Sequence, residues 1–184
     1  LVDDQTVGQG AGAIPTFSPT TVPKLLPDAC LDRRNTPFAG GPDQSAFDLS
    51  MARAYSFLEI RRIPEDGVEP HRSMGSGDPL WVRAPGAETL SSTVKYALLT
   101  MITDFWFGLP MFSQPAVRSI AHNVKFNSLD HSIWFFGAPS CHDWLLVQSE
   151  LLVAARGRTL CRATVTTQSG EIVAIVQQDG LASL

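Results

Sequence analysis

The spacing of apolar and polar positions predicts one helix in the second part of the chain. Between Ser92 and Phe107 the apolar side chains recur three and four positions apart, which is the spacing of a helix face. Ser91 or Ser92 can cap the start of this helix, and the Gly-Leu-Pro sequence at 108–110 stops it. Because so many of its residues are apolar, we expect the helix to be buried on most of its circumference.

Residues that favour β-structure predict six strands around that helix. Two strands precede it, at 54–62 and 80–84, and four follow it, at 126–136, 143–153, 157–167 and 171–178. Ser169-Gly170 is a turn signal between the last two. This order predicts an α+β domain in which a curved, mostly antiparallel sheet of about six strands wraps one long buried helix, the arrangement called a hot dog.

Residues 1–50 differ in composition from the rest of the chain. They mix frequent Pro and Gly with Thr, Ser, Asp and Ala, which leaves little room for a long helix or strand. We therefore predict a connector or tail over residues 1–50 and a folded domain over residues 51–184. The sequence starts at Leu1 without a basic and then apolar leader, so we expect no signal peptide and a chain that is trimmed or part of a longer protein.

Composition narrows the function classes. The 184 residues have a formal net charge of −4 and no Lys/Arg run, which argues against a nucleic-acid or anionic membrane partner. Charged residues make up only 17% and hydrophobic residues 44%, so we expect some apolar surface to meet a partner. The most apolar stretch, 96–112, is interrupted by Thr, Asp and Pro and predicts no membrane span. Three cysteines without a CxxC pair predict a reducing, intracellular compartment.

Asp104 is the most unusual charge in the sequence. It lies among apolar residues near the C-terminal end of the predicted helix, where the helix dipole does not favour a carboxylate. Lys95 is nine positions away, about 180° round the helix, and cannot neutralise it. Asp104 is therefore either a functional carboxylate or a helix-edge residue that caps the following loop.

Ser128-Leu129-Asp130-His131 opens the predicted strand 126–136. Strict alternation places Ser128, Asp130 and Ser132 on one face and His131 on the other. Because neighbours on a strand point apart, Asp130 and His131 are not expected to form a proton relay. We expect His131 to be a packed or hydrogen-bonded histidine.

Gln178 ends the last apolar strand with an uncharged amide. Such a group can orient a water molecule or a carbonyl oxygen without taking part in proton transfer. Ordinary edge-strand hydrogen bonding is the alternative explanation. Arg156, beside Gly157 and Arg158, is a basic position able to meet a phosphate.

Two other chemistries are not supported. The spacings of His122, His131, Cys141 and His142 fit no common metal-ligand pattern, so we predict no metal. Serine hydrolysis through a nucleophile elbow is also not indicated, because the chain lacks a Gly-x-Ser-x-Gly sequence.

Taken together, these segments resemble the C-terminal half of the acyl-CoA thioesterase II family, which includes bacterial thioesterase II and peroxisomal acyl-CoA thioesterases. The resemblance covers roughly residues 55–182 in preserved order, with no match seen for residues 1–45. The segments that carry it are Glu69-Pro70-His71-Arg72, Leu80-Trp81-Val82-Arg83-Ala84, Thr103-Asp104-Phe105, Ser128-Leu129-Asp130-His131-Ser132-Ile133-Trp134-Phe135, Asp143-Trp144-Leu145-Leu146, Ala155-Arg156-Gly157, Thr167-Gln168-Ser169-Gly170 and Gln178-Asp179-Gly180-Leu181.

This resemblance implies a fold, an activity and a site. Family members are tandem hot dogs in which an Asp, a Ser or Thr, and a Gln organise a hydrolytic water, and the matching positions are Asp104, Ser128 and Gln178. The implied enzyme is a hydrolase of acyl-CoA or acyl-carrier thioesters that needs no cofactor and forms no acyl-enzyme. We further expect three substrate-binding residues, Trp134, Phe136 and Arg156.

The sequence also departs from the family pattern. Phe136-Gly137 stands where His-Arg is usual, Asp179 where Glu is usual, and Ser183 near a common basic position, so the handling of coenzyme A is in question. The chain has residues for one hot dog only, which predicts a homo-oligomer or pairing with a missing N-terminal half. A non-hydrolytic acyl-binding or structural module and a hot-dog enzyme of polyketide metabolism remain alternatives. The compartment is either cytoplasmic or peroxisomal, since Ala182-Ser183-Leu184 is similar to a peroxisomal signal without its basic residue.

Overall fold

The computed structural model describes residues 31–32, 56–63, 79–106 and 125–183. Within these ranges there are eight strands, one α-helix, and a short 3-10 helix at Ala87–Thr89. The helix, α1, spans Ser92–Trp106. The strands are β1 (Leu31–Asp32), β2 (Glu59–Arg62), β3 (Leu80–Arg83), β4 (Lys125–Ser128), β5 (Ser132–Phe135), β6 (Leu145–Ala155), β7 (Arg158–Thr167) and β8 (Ile172–Ser183).

The eight strands form one antiparallel sheet. Its order is β1-β2-β3-β6-β7-β8-β4, and β5 also pairs with β8. Strands β4 and β5 lie end to end along β8, at residues 180–183 and 174–177 respectively. The sheet curls around α1, which confirms the predicted α+β hot-dog architecture.

The helix follows its sequence signals closely. It occupies the predicted interval, and the backbone N–H of Val94 donates to Ser91 Oγ at 3.4 Å, so Ser91 is the N-cap. Leu99, Ile102 and Thr103 of the helix are buried, whereas Val94 and Ala97 are exposed. From residue 95 to residue 103 only Ala97 is exposed, so the described middle of the helix is at least partly covered on most of its circumference, as expected.

The main core lies between that side of α1 and the inner face of the sheet. Inner positions of neighbouring strands are in register, as Val147, Val165 and Ala174 are on β6, β7 and β8, and all three are almost fully buried. Burying each of the two valine side chains contributes roughly 1.5–3 kcal/mol. This core fixes the helix against β8, the strand that carries Gln178.

A second buried cluster lies on the outer face of the sheet. It comprises Ile63, Trp81, Trp144 and Leu146. The guanidinium of Arg83 stacks 4.5 Å from the centre of the Trp144 ring. Trp144 is thus packed within the chain and, unlike Trp134, leaves little surface for a partner.

Several expectations fall outside the described residues. They concern residues 1–50 apart from β1, the start of the first strand at 54–55, the stop signal at 108–110, and the side chains of Cys30 and His122. The part of the predicted connector that is described, β1, pairs antiparallel with β2.

Candidate active site

Three side chains from separate elements meet at the C-terminal end of α1. The Nε2 of Gln178, in β8, donates a hydrogen bond to Asp104 Oδ1 at 2.6 Å and another to Ser128 Oγ at the end of β4. These residues are 74 and 50 positions apart in sequence, so only the tertiary fold brings them together. The structure thus joins the three residues that the sequence singled out as Asp104, Ser128 and Gln178.

A β-bulge places Ser128 in this cluster. Ser128 is in register with Gly180, and Ser132 is in register with Gln177. Three residues, 129–131, therefore lie opposite two, 178–179, and the strand bends at the extra residue. The bulge is closed by two hydrogen bonds to Asp179: its carbonyl accepts from Leu129 N–H at 2.8 Å, and its own N–H donates to Asp130 Oδ1 at 3.0 Å.

The extra residue also reverses the predicted faces of the strand. Ile133 is in register with Val176, an inner residue, whereas Ser132 pairs with Gln177 on the outer face. The ring of His131 contacts α1, so His131 and Ser128 share the inner side. The expectation that Ser128, Asp130 and Ser132 share one face, with His131 on the other, was wrong, because alternation does not hold across a bulge.

Burial differs sharply within the cluster. Gln178 is 1% exposed, but Asp104 and Ser128 are both exposed. The amide therefore forms the floor of the site, while the carboxylate and the hydroxyl lie at its accessible rim. Gln178 Oε1 is buried and accepts no hydrogen bond from the described residues. A buried carbonyl oxygen without a donor is costly, and such a group in a native site calls for a functional explanation.

The two amide hydrogens of Gln178 determine which groups of the cluster donate and which accept. An amide nitrogen has two hydrogens, and those of Gln178 are directed to Asp104 and to Ser128. Because Ser128 Oγ accepts one of them, the hydroxyl hydrogen of Ser128 remains available to donate outward. The site thus offers a carboxylate base and a hydroxyl donor side by side, with both held by one buried amide.

His131 lies beside this cluster. Its Nε2 is 3.2 Å from Thr103 Oγ1, on the residue that precedes Asp104 in the helix. Burial lowers the pKa of His131, against the opposing effect of the carboxylates of Asp104 and Asp130. The ring is therefore neutral near pH 7. Sequence reasoning correctly described a hydrogen-bonded histidine, but the bulge that turns it toward the helix has no local sequence signal.

The three residues expected to bind substrate lie elsewhere. Trp134 pairs with Ile175 on the outer face, and Trp134 and Phe136 are 50% and 64% exposed. Arg156 lies in the turn between β6 and β7, where Ala182 N–H donates to Gly157 O at 2.7 Å. That turn is at the far end of β8 from Trp134. The structure does not bring Trp134, Phe136 or Arg156 to the Asp104 cluster.

Other nucleophiles and metal sites are not found among the described residues. Burial raises the pKa of the Cys141 thiol to about 11 and that of Cys161, the neighbour of Gln178 on β7, to about 12. Neither thiol is therefore ionised near pH 7. Residues 31–32, 56–63, 79–106 and 125–183 contain no group of three or more His, Cys, Asp or Glu that could hold a metal ion. The one α-helix of these ranges is too short to cross a membrane.

Within the described residues, one α-helix in a curled antiparallel sheet, with an Asp, a Ser and a Gln joined at the helix end, defines a protein of the hot-dog class. The sequence matches the family described as "Acyl-CoA thioesterase C-terminal domain" over residues 27–182. The chain therefore belongs to that acyl-CoA thioesterase family. The match starts well before residue 45, so the absence of any resemblance over residues 1–45 was a wrong prediction.

Individual relatives agree with this family. Acyl-CoA thioesterase 2 of Haemophilus influenzae is 29% identical over 101 residues, which are 55% of this chain and 35% of that protein. The acyl-CoA thioesterase II structure from Mycobacterium marinum has a TM-score of 0.72 at 22% identity. The superposition covers 95% of this chain and 59% of the Mycobacterium marinum chain. The tesB protein structure from Mycobacterium avium subspecies paratuberculosis has a TM-score of 0.55 at 22% identity, over 78% of this chain and 53% of the tesB chain. The two structures show the shared fold. This chain spans little more than half the length of each of them and about a third of the Haemophilus influenzae protein.

Proposed function

We propose that this chain hydrolyses acyl-CoA or related acyl thioesters, with Asp104, Ser128 and Gln178 as its site. The observation that carries the proposal is the buried Gln178 amide, which bonds both the Asp104 carboxylate and the Ser128 hydroxyl. Thioester hydrolysis needs a base for water and a donor beside it, and these are the two groups that the amide holds at the accessible rim. Membership of an acyl-CoA thioesterase family supports the same reaction.

In the proposed mechanism Asp104 acts as the general base. A water molecule bound between Asp104 and Ser128 gives its proton to the carboxylate as its oxygen bonds to the thioester carbon. The carbonyl π bond opens to an oxyanion, which backbone N–H groups stabilise. As the oxyanion collapses, the carbon–sulfur bond breaks, and the departing thiolate takes the proton from Asp104. The products are a carboxylic acid and a free thiol, and no acyl-enzyme forms.

Gln178 has a positioning role in this mechanism. Both of its N–H groups are engaged by Asp104 and Ser128, so it orients the two groups that contact the water. Holding the reacting groups in one geometry is among the larger contributions available to an enzyme, because it removes an entropic cost from the chemical step.

The test is release of free thiol from a panel of acyl-CoA substrates of different chain lengths. Asp104→Asn keeps the volume and removes the base, so turnover should fall by about 10²-fold or more. Asp143→Asn, at an exposed carboxylate away from the cluster, is the matched control and should leave turnover unchanged. Near-normal rates in Asp104→Asn contradict the mechanism. Tight acyl-CoA binding without thiol release by the unaltered chain favours the non-hydrolytic module instead.

A further inference from the structure

One side-chain contact joins the two segments that carry the candidate base and hydroxyl. His131 lies three residues after Ser128, and Thr103 immediately precedes Asp104. The distance from His131 Nε2 to Thr103 Oγ1 is 3.2 Å. Thr103 is 1% exposed, so this contact is made inside the protein, just below the rim on which Asp104 and Ser128 lie.

The surroundings of the Thr103 hydroxyl favour one direction for that contact. Thr103 Oγ1 is 3.0 Å from the carbonyl oxygens of both Leu99 and Thr100, the usual back-bonding geometry of a helical threonine. A threonine hydroxyl has one hydrogen, and when that hydrogen is directed to one of these carbonyls the hydroxyl oxygen accepts from the histidine. In that arrangement His131 Nε2 carries a hydrogen and donates it to Thr103 Oγ1. A neutral ring with its hydrogen on Nε2 satisfies this geometry.

The neighbouring aspartate secures the same bulge from its other side. Asp130 Oδ1 accepts the N–H of Asp179 at 3.0 Å, which ties the bulge to β8. The hydrogen bond of Asp130 holds the bulge to β8, and the contact of His131 with Thr103 holds it to the helix. Strict alternation would place Ser128 and His131 on opposite faces, and the extra residue of the bulge lets both face α1.

We propose that His131 is a positioning residue: its Nε2–H, donated to Thr103 Oγ1, holds the helix end that carries Asp104 at a fixed distance from the bulge that carries Ser128. The proposal rests on the function proposed above. Asp104 lies in the last turn of α1, where helices fray, and its side chain is exposed. Gln178 aligns the two reacting groups themselves, whereas His131 fixes the backbone from which they project.

A double-mutant cycle on turnover tests this role. His131→Phe keeps a ring and removes the donor, and Thr103→Val keeps the shape and removes the acceptor. Each should lower kcat roughly 10-fold with KM changed less than about twofold, because a loosened base affects the chemical step more than binding. The double variant should be no slower than the slower single variant, because both changes remove one contact.

Two conservative variants separate positioning from simple loss of packing. His131→Gln retains an N–H of similar reach and should recover kcat to within about threefold of the unaltered protein, and Thr103→Ser should do the same. Ring-nitrogen NMR of the unaltered protein should show His131 with its hydrogen on Nε2. Multiplicative effects in the double variant, equal loss in His131→Phe and His131→Gln, or a hydrogen on Nδ1 would each overturn the proposal.

The failure of this proposal and that of the proposed function can be told apart. If Asp104→Asn is as active as the unaltered chain, the assigned role of Asp104 as base is wrong, while the NMR result still reports on the contact between His131 and Thr103. If Asp104→Asn is inactive but His131→Phe and Thr103→Val both retain full kcat, only the positioning role fails. Circular dichroism and thermal unfolding of every variant ensure that lost turnover is measured on folded protein.

Discussion

Replacing Gln178 by Met separates the contribution of this amide to activity from its contribution to stability. Met has a similar volume, so the buried site should remain filled. The change removes two hydrogen bonds, which are worth about 0.5–3 kcal/mol each, but both partners, Asp104 and Ser128, are exposed and can bind water instead. It also removes the unpartnered Oε1, whose burial costs about 1–3 kcal/mol. Because these terms oppose each other, we expect the free energy of unfolding to change by less than about 2 kcal/mol.

Turnover should respond very differently. Without the amide, Asp104 and Ser128 lose their common partner, and a misplacement of about 1 Å in a reacting group costs about 10²-fold in rate. Urea unfolding followed by tryptophan fluorescence and thiol release from acyl-CoA measure the two quantities on the same sample. Gln177→Met, one residue away on the outer face, is the control and should change neither. Destabilisation of Gln178→Met by more than about 2 kcal/mol, with activity tracking the folded fraction, would refute the reasoning.

The remaining predictions concern the hydroxyl and the pH response. Ser128→Ala should lower turnover, whereas Ser132→Ala, across the bulge on the outer face, should not; equal effects in the two would contradict the assignment of faces. The pKa of His131 is lower in the folded chain than its ordinary value of 6.5, so between these values the unfolded state binds a proton that the folded state does not. The free energy of unfolding should therefore decrease as pH falls below about 6.5, and His131→Gln should flatten that decrease in urea titrations across this range. The hydrogen bond from Arg158 lowers the pKa of Asp179 below its ordinary value of 3.8. The stability that this ion pair gives the folded chain is therefore present above pH 3.8 and is lost as the pH falls through the pKa of Asp179 in the folded chain. Arg158→Ala should remove this acid sensitivity.

The sequence predicted the elements well where one local rule was sufficient. The helix interval from Ser92 was confirmed because spacing, the Ser91 cap and the length of the apolar run agree. Strands β6 and β7 were placed within two residues of their ends, because each is a long run between clear turns. Strand β8 runs to residue 183, beyond the predicted end at 178, because pairing with β4 continues past the polar Gln-Gln-Asp sequence.

The part that could not be predicted is the geometry of the site. Nothing in Ser128-Leu129-Asp130-His131 distinguishes a regular strand from a bulged one, because the extra residue is defined only by the register with β8. That register decides whether His131 faces the helix or solvent. The same register with β8 directs Trp134 to the outer face, which its sequence position alone does not reveal.

The exposed apolar surface leads to a last prediction, about assembly. Trp134 and Phe136 are 50% and 64% exposed, and Val94 on the free side of α1 is 46% exposed. Strand β5 pairs with β8 on one edge, and no other described strand pairs with its second edge. An open edge beside exposed aromatic rings is an arrangement that proteins normally cover. We therefore predict that the folded chain is not a monomer and pairs with a second copy or with a separate hot-dog half.

Sedimentation velocity at micromolar concentration tests this prediction directly. A dimer should form, and Trp134→Glu combined with Phe136→Glu should shift it toward monomer, because burying two carboxylates without partners costs several kcal/mol. Val153→Glu, at an exposed apolar residue of β6, is the matched control for added charge and should leave the dimer intact if the contact is made through β5. If the chain alone does not dimerise, adding a separately expressed N-terminal hot-dog half should produce a stable heterodimer. A soluble, active monomer that binds neither partner contradicts the prediction, since the exposed aromatic rings would then have to be stable in water.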